Sequence, residues 1–367
     1  MRNWYEERLL TTQEQAQTAR GLISANGYGI ACVKSDGTVL TIGDHECGQF
    51  NLADWREIVA VKVSNYITVG LKSDGTVMMS GWDLGTWFNA KKWNNIVDID
   101  VGFNTIVGLK DDGTVVVTDE SFHGVNNWSN IIAVGIGDRF IVGLKYDGTV
   151  IVETQREKYS DNGYPCCREP IVDLCDVYDW QNIVAISAGY KSVFGLTSDG
   201  QVVVAGEQRR EVCDVSSWRD VVAIEGASGI IGVRSDGTVI TMGENWFNQR
   251  VKNWSDVVAV AYGGSFIVGL RADGTLLGEV DRNYIEHSDS PELYMHTKNI
   301  PSIVPTWRLF QNLITLKTEC MAMKKWRAKE DQNMAQRRST GLCQYCGNKF
   351  KGLFSKKCSG CGKAKDY

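Results

Sequence analysis

The residues best suited to chemistry are four cysteines near the C-terminus. Cys343, Cys346, Cys358 and Cys361 form two CxxC pairs separated by eleven residues. Each pair can form a tight turn that supplies two thiolates, and two such turns give the tetrahedral sulfur set that structural zinc prefers. Because four thiolates leave no open position for water, the predicted ion is structural. The sequence thus predicts a zinc ribbon over residues 339–367, with one zinc as its cofactor.

The alternative interpretation of these cysteines is a pair of disulfide bonds. A reducing compartment disfavours disulfides. The first residues include early acids and no apolar segment of the kind that a secretory signal contains. No apolar run approaches the ~20 residues that a membrane span requires. We therefore expect zinc, a cytoplasmic location and no membrane contact.

The loop between the two CxxC pairs mixes cations with aromatic residues. Its candidate contacts are Lys349, Lys351, Phe354, Lys356 and Lys357. Because lysines can hold phosphates and an aromatic ring can stack on a base, this loop is a candidate nucleic-acid site. Loops of this kind also dock proteins, so both partner classes stay open.

The ribbon belongs to a part of the chain with a distinct charge. Residues 307–367 contain 14 Lys and Arg and 4 Asp and Glu, a net charge of +10. The other 306 residues contain 25 Lys and Arg and 40 Asp and Glu, a net charge of −15. The asymmetry predicts two units with different roles. The basic part could meet an anionic partner or fold against its own acidic body.

Residues 308–338 contain neither Pro nor Gly and predict a basic helix. An apolar stripe runs along it at spacings of three and four residues. The stripe consists of Leu313, Leu316, Cys320 and Met323. We expect this stripe to pack against the rest of the protein.

The rest of the chain is dominated by a sevenfold repeat. Asp-Gly recurs seven times at steps of 35 to 52 residues, and Thr follows it in six copies. An apolar segment such as Val69-Gly70-Leu71 precedes it. Six copies also contain a Trp 18 or 19 residues before the Asp, which we expect to be structural. These residues are Trp55, Trp93, Trp128, Trp180, Trp218 and Trp254.

Short Val- and Ile-rich runs separated by Asp-Gly are typical of strands joined by hairpin turns. One repeat cannot bury both faces of its strands, so the copies must stack. Seven copies predict an all-β, seven-bladed β-propeller over residues 19–307, because closing a ring removes exposed edges. A linear β-solenoid is the alternative. A helical segment is predicted for residues 1–18.

The unit Trp-x-x-Ile-Val-Ala-Val…Val-Gly-Leu-Lys-Ser-Asp-Gly-Thr-Val resembles the regulator of chromosome condensation repeat, in the form common in bacterial proteins. The resemblance implies a seven-bladed propeller that serves mainly as a protein-binding platform. The family's founder is a nucleotide exchange factor that binds chromatin, and a bacterial relative inhibits β-lactamases. Many members place His three residues before the Gly of the Val-Gly-Leu segment, but this chain does not. The exchange activity is therefore not carried over.

Variable turns of a propeller gather at the ends of the ring. The turns before the Val-Gly-Leu segments supply aromatic and cationic residues that anchor many protein interfaces. These candidate partner-binding residues are Tyr66, Phe103, Arg139, Phe140, Tyr190, Lys191 and Phe266. The alternative is that they are half-buried residues that support contacts between blades.

No nucleophile elbow, P-loop or dinucleotide fingerprint occurs in the sequence, so we predict no enzyme. The predicted function is an interaction scaffold whose propeller rim binds a protein partner, with the zinc ribbon as a second contact. One alternative is a nucleic-acid-binding protein that acts through the basic helix and the ribbon. Another is a regulator of a second protein, in the manner of an inhibitor or exchange factor. An enzyme that uses the insertions around residues 154–172 and 278–300 is a third.

Overall fold

The structure is a computed structural model. It describes residues 16, 19–27, 29–34, 36–43, 47–82, 87–102, 104–155, 175–206, 214–243, 250–264, 266–280 and 336–337. The strands of the seven repeats lie within these ranges. The four ribbon cysteines, the five ribbon-loop candidates and the apolar stripe at residues 313–323 lie outside them.

Each repeat folds into one antiparallel sheet of three strands. The first strands are β1 (Ile23–Ala25), β4 (Ile58–Val63), β7 (Ile96–Val101), β10 (Ile131–Ile136), β13 (Ile183–Ala188), β16 (Val221–Gly226) and β19 (Val257–Tyr262). The second strands are β2 (Gly29–Val33), β5 (Ile67–Lys72), β8 (Ile106–Lys110), β11 (Phe140–Lys145), β14 (Ser192–Thr197), β17 (Ile230–Arg234) and β20 (Phe266–Arg271). The third strands are β3 (Val39–Gly43), β6 (Val77–Gly81), β9 (Val115–Val117), β12 (Val150–Thr154), β15 (Val202–Gly206), β18 (Val239–Met242) and β21 (Leu276–Val280).

Three short 3₁₀ helices precede the repeat Trp in the middle of the chain. They cover Trp87–Lys92, His123–Asn127 and Cys175–Asp179. The sequence did not predict them, because five or six residues are too few to display a helical period.

The Asp-Gly turns join the second and third strands, as predicted. In the first repeat the Asp36 carboxylate accepts hydrogen bonds from the backbone amide of Thr38 at 2.9 Å and from its hydroxyl at 2.5 Å. These bonds lower the pKa of Asp36. Gly37 has a φ of 75°, a conformation that glycine adopts without a Cβ clash. The carbonyl of Gly37 then accepts a hydrogen bond from the amide of Ile58 at 2.9 Å, which links the turn to the next sheet.

The sheets form a closed ring. Each first strand contacts the first strand of the next sheet, and β19 and β20 contact β1. Phe266 and Leu270 of the seventh sheet share one buried cluster with Ile23 and Ile30 of the first. A linear solenoid would leave the first and last sheets apart, so the seven-bladed propeller is confirmed.

The repeat Trp packs on the glycine of the Val-Gly-Leu segment. Trp218 is 1% exposed. A Cβ added to Gly232 would lie 2.8 Å from Cζ3 of Trp218, which is closer than Cβ contacts normally occur. The five other Trp-containing repeats have the same arrangement. The first repeat has Gln17 in the Trp position and Cys32 in the glycine position. Cys32 is buried, and burial raises its pKa to about 12.

The predicted domain limits are only partly covered by the described residues. The strands run from Ile23 to Val280. Of the predicted N-terminal helical segment only Ala16 is described, and it is helical. Of the predicted basic helix only residues 336–337 are described, and both are helical. The predicted propeller end at residue 307 lies outside the described residues.

Candidate functional site

The turns between first and second strands lie on one side of the ring, which we call the turn face. Hydrogen bonds connect turns of neighbouring sheets. The amide of Asp138 donates to the carbonyl of Tyr190 at 2.9 Å, and the amide of Tyr190 donates to the carbonyl of Ala227 at 3.0 Å. The hydroxyls of Ser228 and Tyr262 are 2.8 Å apart. These bonds join four consecutive sheets, so the turn face is braced from the fourth sheet to the seventh.

An aromatic pair, in which Trp82 is exposed and Tyr66 is half-buried, lies on the turn face at the second sheet. Trp82 follows β6, and its amide donates to the carbonyl of Tyr66 at 2.9 Å. The two rings are in edge-to-face contact, with centroids 6.1 Å apart and planes at 72°. Trp82 is 60% exposed. The backbone bond and the ring contact therefore hold a large aromatic surface in a defined position.

A second exposed group lies on the same face at the fourth and fifth sheets. Tyr190 is 60% exposed, and Lys191 beside it is also exposed. Arg139, in the adjoining turn, has a φ of 66°, and its carbonyl accepts a hydrogen bond from the amide of Gln155 at 2.8 Å. The group thus combines one aromatic ring with two cations.

Two predicted partner-binding residues are in the core. Phe140 and Phe266 are both 0% exposed. Each begins a second strand, where its ring packs between sheets and is inaccessible to a partner. Phe266 belongs to the cluster that closes the ring. The prediction that these two rings lie at the rim was therefore wrong, whereas Tyr66, Arg139, Tyr190 and Lys191 do lie on the turn face. Phe103 lies outside the described residues.

Trp82 was missed by sequence reasoning, although a signal existed. It is one of twelve tryptophans, and it falls outside the six that occupy the repeat position. A tryptophan that the repeat does not require directly follows the third strand. A tryptophan in this position is therefore a candidate for contact with a partner.

Charged side chains gather where the first strands surround the ring axis. Lys62 on β4 and Asp100 on β7 form an ion pair with Nζ and Oδ1 3.3 Å apart, and their side chains are only 12% and 17% exposed. Oδ2 of Asp100 accepts a hydrogen bond from the amide of Ile136 on β10 at 3.1 Å. The pair therefore connects three consecutive sheets.

Arg20 reaches the same cluster from just before β1. Its Nη2 donates to the carbonyl of Val134 on β10 at 2.8 Å and lies 3.9 Å from Oδ2 of Asp98 on β7. The side chain therefore connects the start of the first sheet to the third and fourth sheets. Burial alone would lower the pKa of Arg20, but the neighbouring carboxylates, Asp98 first among them, raise it.

Burial also changes the titration of Glu225 and Lys62. Burial raises the pKa of Glu225 on β16, and the attraction of Lys62 opposes this only in part. For Lys62, burial alone would lower the pKa, but Asp100 and Glu225 raise it above its ordinary value of 10.5. Lys62 therefore stays protonated at neutral pH, and the axial carboxylates depend on this cation.

These axial residues were also missed, although the repeat alignment contains a signal for them. In the strand register, the position of Lys62 is occupied by a small residue in four of the other six repeats. The six counterparts are Ser24, Asp100, Gly135, Ser187, Glu225 and Ala261. Charged residues at a position of this kind predict a polar cluster around the axis.

The part of the chain that the structure describes contains no group of three or more His, Cys, Asp and Glu residues able to hold a metal. Cys343, Cys346, Cys358 and Cys361 lie outside it, so the zinc site stays a prediction. The five ribbon-loop residues predicted to bind nucleic acid are outside it too. No helix within the described ranges is long and apolar enough to span a membrane.

Neither a family model nor a curated protein matches this sequence. Solved structures with a similar fold include the CRINKLY WD40 ectodomain of the receptor kinase ACR4 from Arabidopsis thaliana, at 14% identity and a TM-score of 0.51, covering 70% of this chain and 92% of that one. They also include Prp20p from Saccharomyces cerevisiae, a yeast RCC1 with binding properties to Gsp1p and histones, at 14% identity and a TM-score of 0.48, covering 76% and 85%. At such identities, likeness to the plant ectodomain shows the fold alone, which is a β-propeller.

Proposed function

We propose that this chain is a non-enzymatic interaction scaffold whose turn face binds a protein partner. The observation that carries the proposal is the exposure of Trp82 and Tyr190, at 60% each, on one face of the ring, where backbone hydrogen bonds hold both residues. Large exposed aromatic residues on a rigid support lose little conformational entropy on binding. Tyr, Trp and Arg are also the residue types that most often dominate interface energies.

The charges on the turn face suggest the chemistry of the partner. Arg139 and Lys191 lie beside Tyr190, so the patch at the fourth and fifth sheets favours an aromatic or aliphatic side chain flanked by carboxylates. These two cations can also form short-range ion pairs with carboxylates of a partner. We therefore expect a protein with an acidic, partly apolar surface.

Partner capture tests the proposal. Full-length protein and residues 1–307 are used as baits in native lysate, each with and without nuclease, and captured proteins are identified by mass spectrometry. We expect a protein that residues 1–307 retain after nuclease treatment. Captures that disappear with nuclease or with removal of the basic part would instead support nucleic-acid binding by the tail, the alternative that its +10 charge favours.

We also propose that Cys343, Cys346, Cys358 and Cys361 hold one structural zinc ion. The donor set is four thiolates at the spacing of a zinc ribbon, which implies a reducing and hence cytoplasmic environment. In this role the ribbon provides a second contact for a partner.

Metal analysis of the purified full-length protein tests the zinc site. We expect about one zinc per chain. Cys343→Ser should reduce the zinc content several-fold, because three thiolates bind the ion more weakly and leave the ribbon unfolded. Cys320→Ser, which changes a cysteine of the same basic part outside the CxxC pairs, is the control and should retain the metal. A wild-type chain without zinc would contradict the assignment.

A further inference from the structure

A contact joins the basic part of the chain to the side of the ring opposite the turn face. The guanidinium carbon of Arg337 lies 5.1 Å from the centroid of the Tyr146 ring. This is within the ~6 Å over which a cation is attracted to an aromatic face. Tyr146 directly precedes the Asp147-Gly148 turn of the fourth repeat. We call the side of the ring that carries these turns the Asp-Gly face.

Arg337 borders a pocket beside the Tyr146 ring. The pocket is lined by residues 127–130 and 145–147 and by Ile151, and Arg337 forms part of its wall. Trp128, the repeat Trp of this sheet, contributes to the lining and is only 6% exposed. The pocket therefore has an aromatic and largely fixed wall.

The backbone of the repeat fixes the position of Tyr146. Its amide donates to the carbonyl of Asn130 at 2.9 Å, and Asn130 has a φ of 59°. The carboxylate of Asp147 is held by the amide of Thr149 at 3.0 Å and by its hydroxyl at 2.6 Å. These bonds belong to the repeat itself, so the backbone around Tyr146 is held without any contribution from Arg337.

The fourth repeat is the only one of the seven with an aromatic residue at this position. The counterparts of Tyr146 are Ser35, Ser73, Asp111, Ser198, Ser235 and Ala272. None of these side chains has a π face, so only the fourth repeat can stack a guanidinium in this way. The selectivity of the site therefore follows from one residue of the sequence.

The charges of the two parts favour the same contact. The part that contains Arg337 has a net charge of +10, and the remainder of the chain has −15. Lys145 and Asp147 both line the pocket, so its own formal charges cancel and the attraction comes from the two parts as a whole. The attraction is therefore long-range between the two parts, and the ring of Tyr146 provides the local specificity.

We propose that the Tyr146 ring and the adjoining pocket are a docking site for an arginine side chain. The occupant is the basic segment of this same chain, residues 308–338, which docks through Arg337. The basic segment folds against the acidic body, which decides between the two roles that its charge left open. It also follows that an anionic partner must displace Arg337 from the Tyr146 ring to reach the cation of that residue. This inference does not depend on the proposed role of the turn face.

Hydrogen exchange of the full-length protein tests the docking. Amide exchange of residues 308–338 is compared between the wild type, Arg337→Ala, Tyr146→Ala and Tyr146→Phe. Loss of the cation–π contact should accelerate exchange about two- to fivefold in Arg337→Ala and Tyr146→Ala. Tyr146→Phe keeps the aromatic face and should exchange like the wild type. The double variant Arg337→Ala/Tyr146→Ala should exchange no faster than either single variant.

Arg338→Ala is the matched control, because it removes the same charge at the next residue. It should leave the exchange rate within about twofold of the wild type. Equal acceleration by Arg338→Ala and Arg337→Ala would overturn the specific site, since net charge alone would then explain the effect. Unchanged exchange in Arg337→Ala, or a segment that already exchanges at the unprotected rate in the wild type, would overturn docking altogether.

Discussion

Trp218→Ala is expected to lower the free energy of unfolding by about 3–5 kcal/mol. The side chain is 1% exposed and fills the space between the second strand of its sheet and the segment that leads into the first. Removal of the indole leaves a cavity that neighbouring strands cannot fill without breaking their ladder. The measurement is a urea titration followed by far-UV circular dichroism.

The partner substitution Gly232→Ala should also destabilise, by about 1–3 kcal/mol, because its Cβ would lie 2.8 Å from the Trp218 ring. In the Trp218→Ala background the same methyl group enters the vacated space and should cost less. Gly27→Ala is the control, since a Cβ there meets only the carbonyl of Gly263 at 4.0 Å. Strictly additive effects of the two substitutions would contradict the packing of the indole on the glycine.

Lys62→Met is expected to lower the free energy of unfolding by about 3–5 kcal/mol at neutral pH. Its ammonium group is 3.3 Å from Asp100, and both side chains are largely buried. Removal of this cation leaves the carboxylates of Asp100 and Glu225 only partly compensated, by Arg20. Lys62→Met/Asp100→Asn should recover part of the loss, because it removes one of the uncompensated carboxylates. A Lys62→Met variant with wild-type stability would show that the ion pair contributes nothing.

Glu225→Gln should raise the free energy of unfolding, and the increase should become larger as the pH rises. Because burial raises the pKa of Glu225 above its ordinary value of 4.5, the folded state holds this proton more tightly than the unfolded state. The stabilisation is complete below pH 4.5 and is lost as the pH rises through the raised value. Relative to the wild type, Glu225→Gln should therefore gain stability between acidic and neutral pH. A difference that stays constant with pH would contradict the raised pKa.

The architecture could be predicted because each repeat element has a local physical requirement. The Asp-Gly turns need a residue with positive φ, and Trp218 needs a neighbour without a Cβ, which Gly232 provides. The first repeat is consistent with this requirement. It lacks the Trp, so no indole excludes a Cβ, and Cys32 occupies the glycine position. Seven units with these requirements leave few alternatives to a ring.

The proposed binding surface was less predictable, because side-chain direction changes with each residue along a strand. Tyr190 lies in a turn and is exposed, whereas Phe140, at the first position of β11, is fully buried. A shift of one or two residues along the turn decides between these outcomes. Contacts between distant parts of the chain, such as Arg20 with Val134 or Arg337 with Tyr146, have no local sequence pattern and require the folded ring.

Paired surface variants test most directly whether the turn face binds a protein, as we propose. Full-length Trp82→Ala/Tyr190→Ala is compared with the wild type and with Tyr178→Ala in nuclease-treated lysate. Tyr178 is 58% exposed but lies in the Cys175–Asp179 helix, outside the turn face. We expect the double variant to retain its fold and to capture at least tenfold less partner than the wild type. The reason is that each anchor residue contributes ~1–2 kcal/mol or more to the binding free energy. Tyr178→Ala should capture the partner like the wild type. Undiminished capture by the folded double variant would contradict the account.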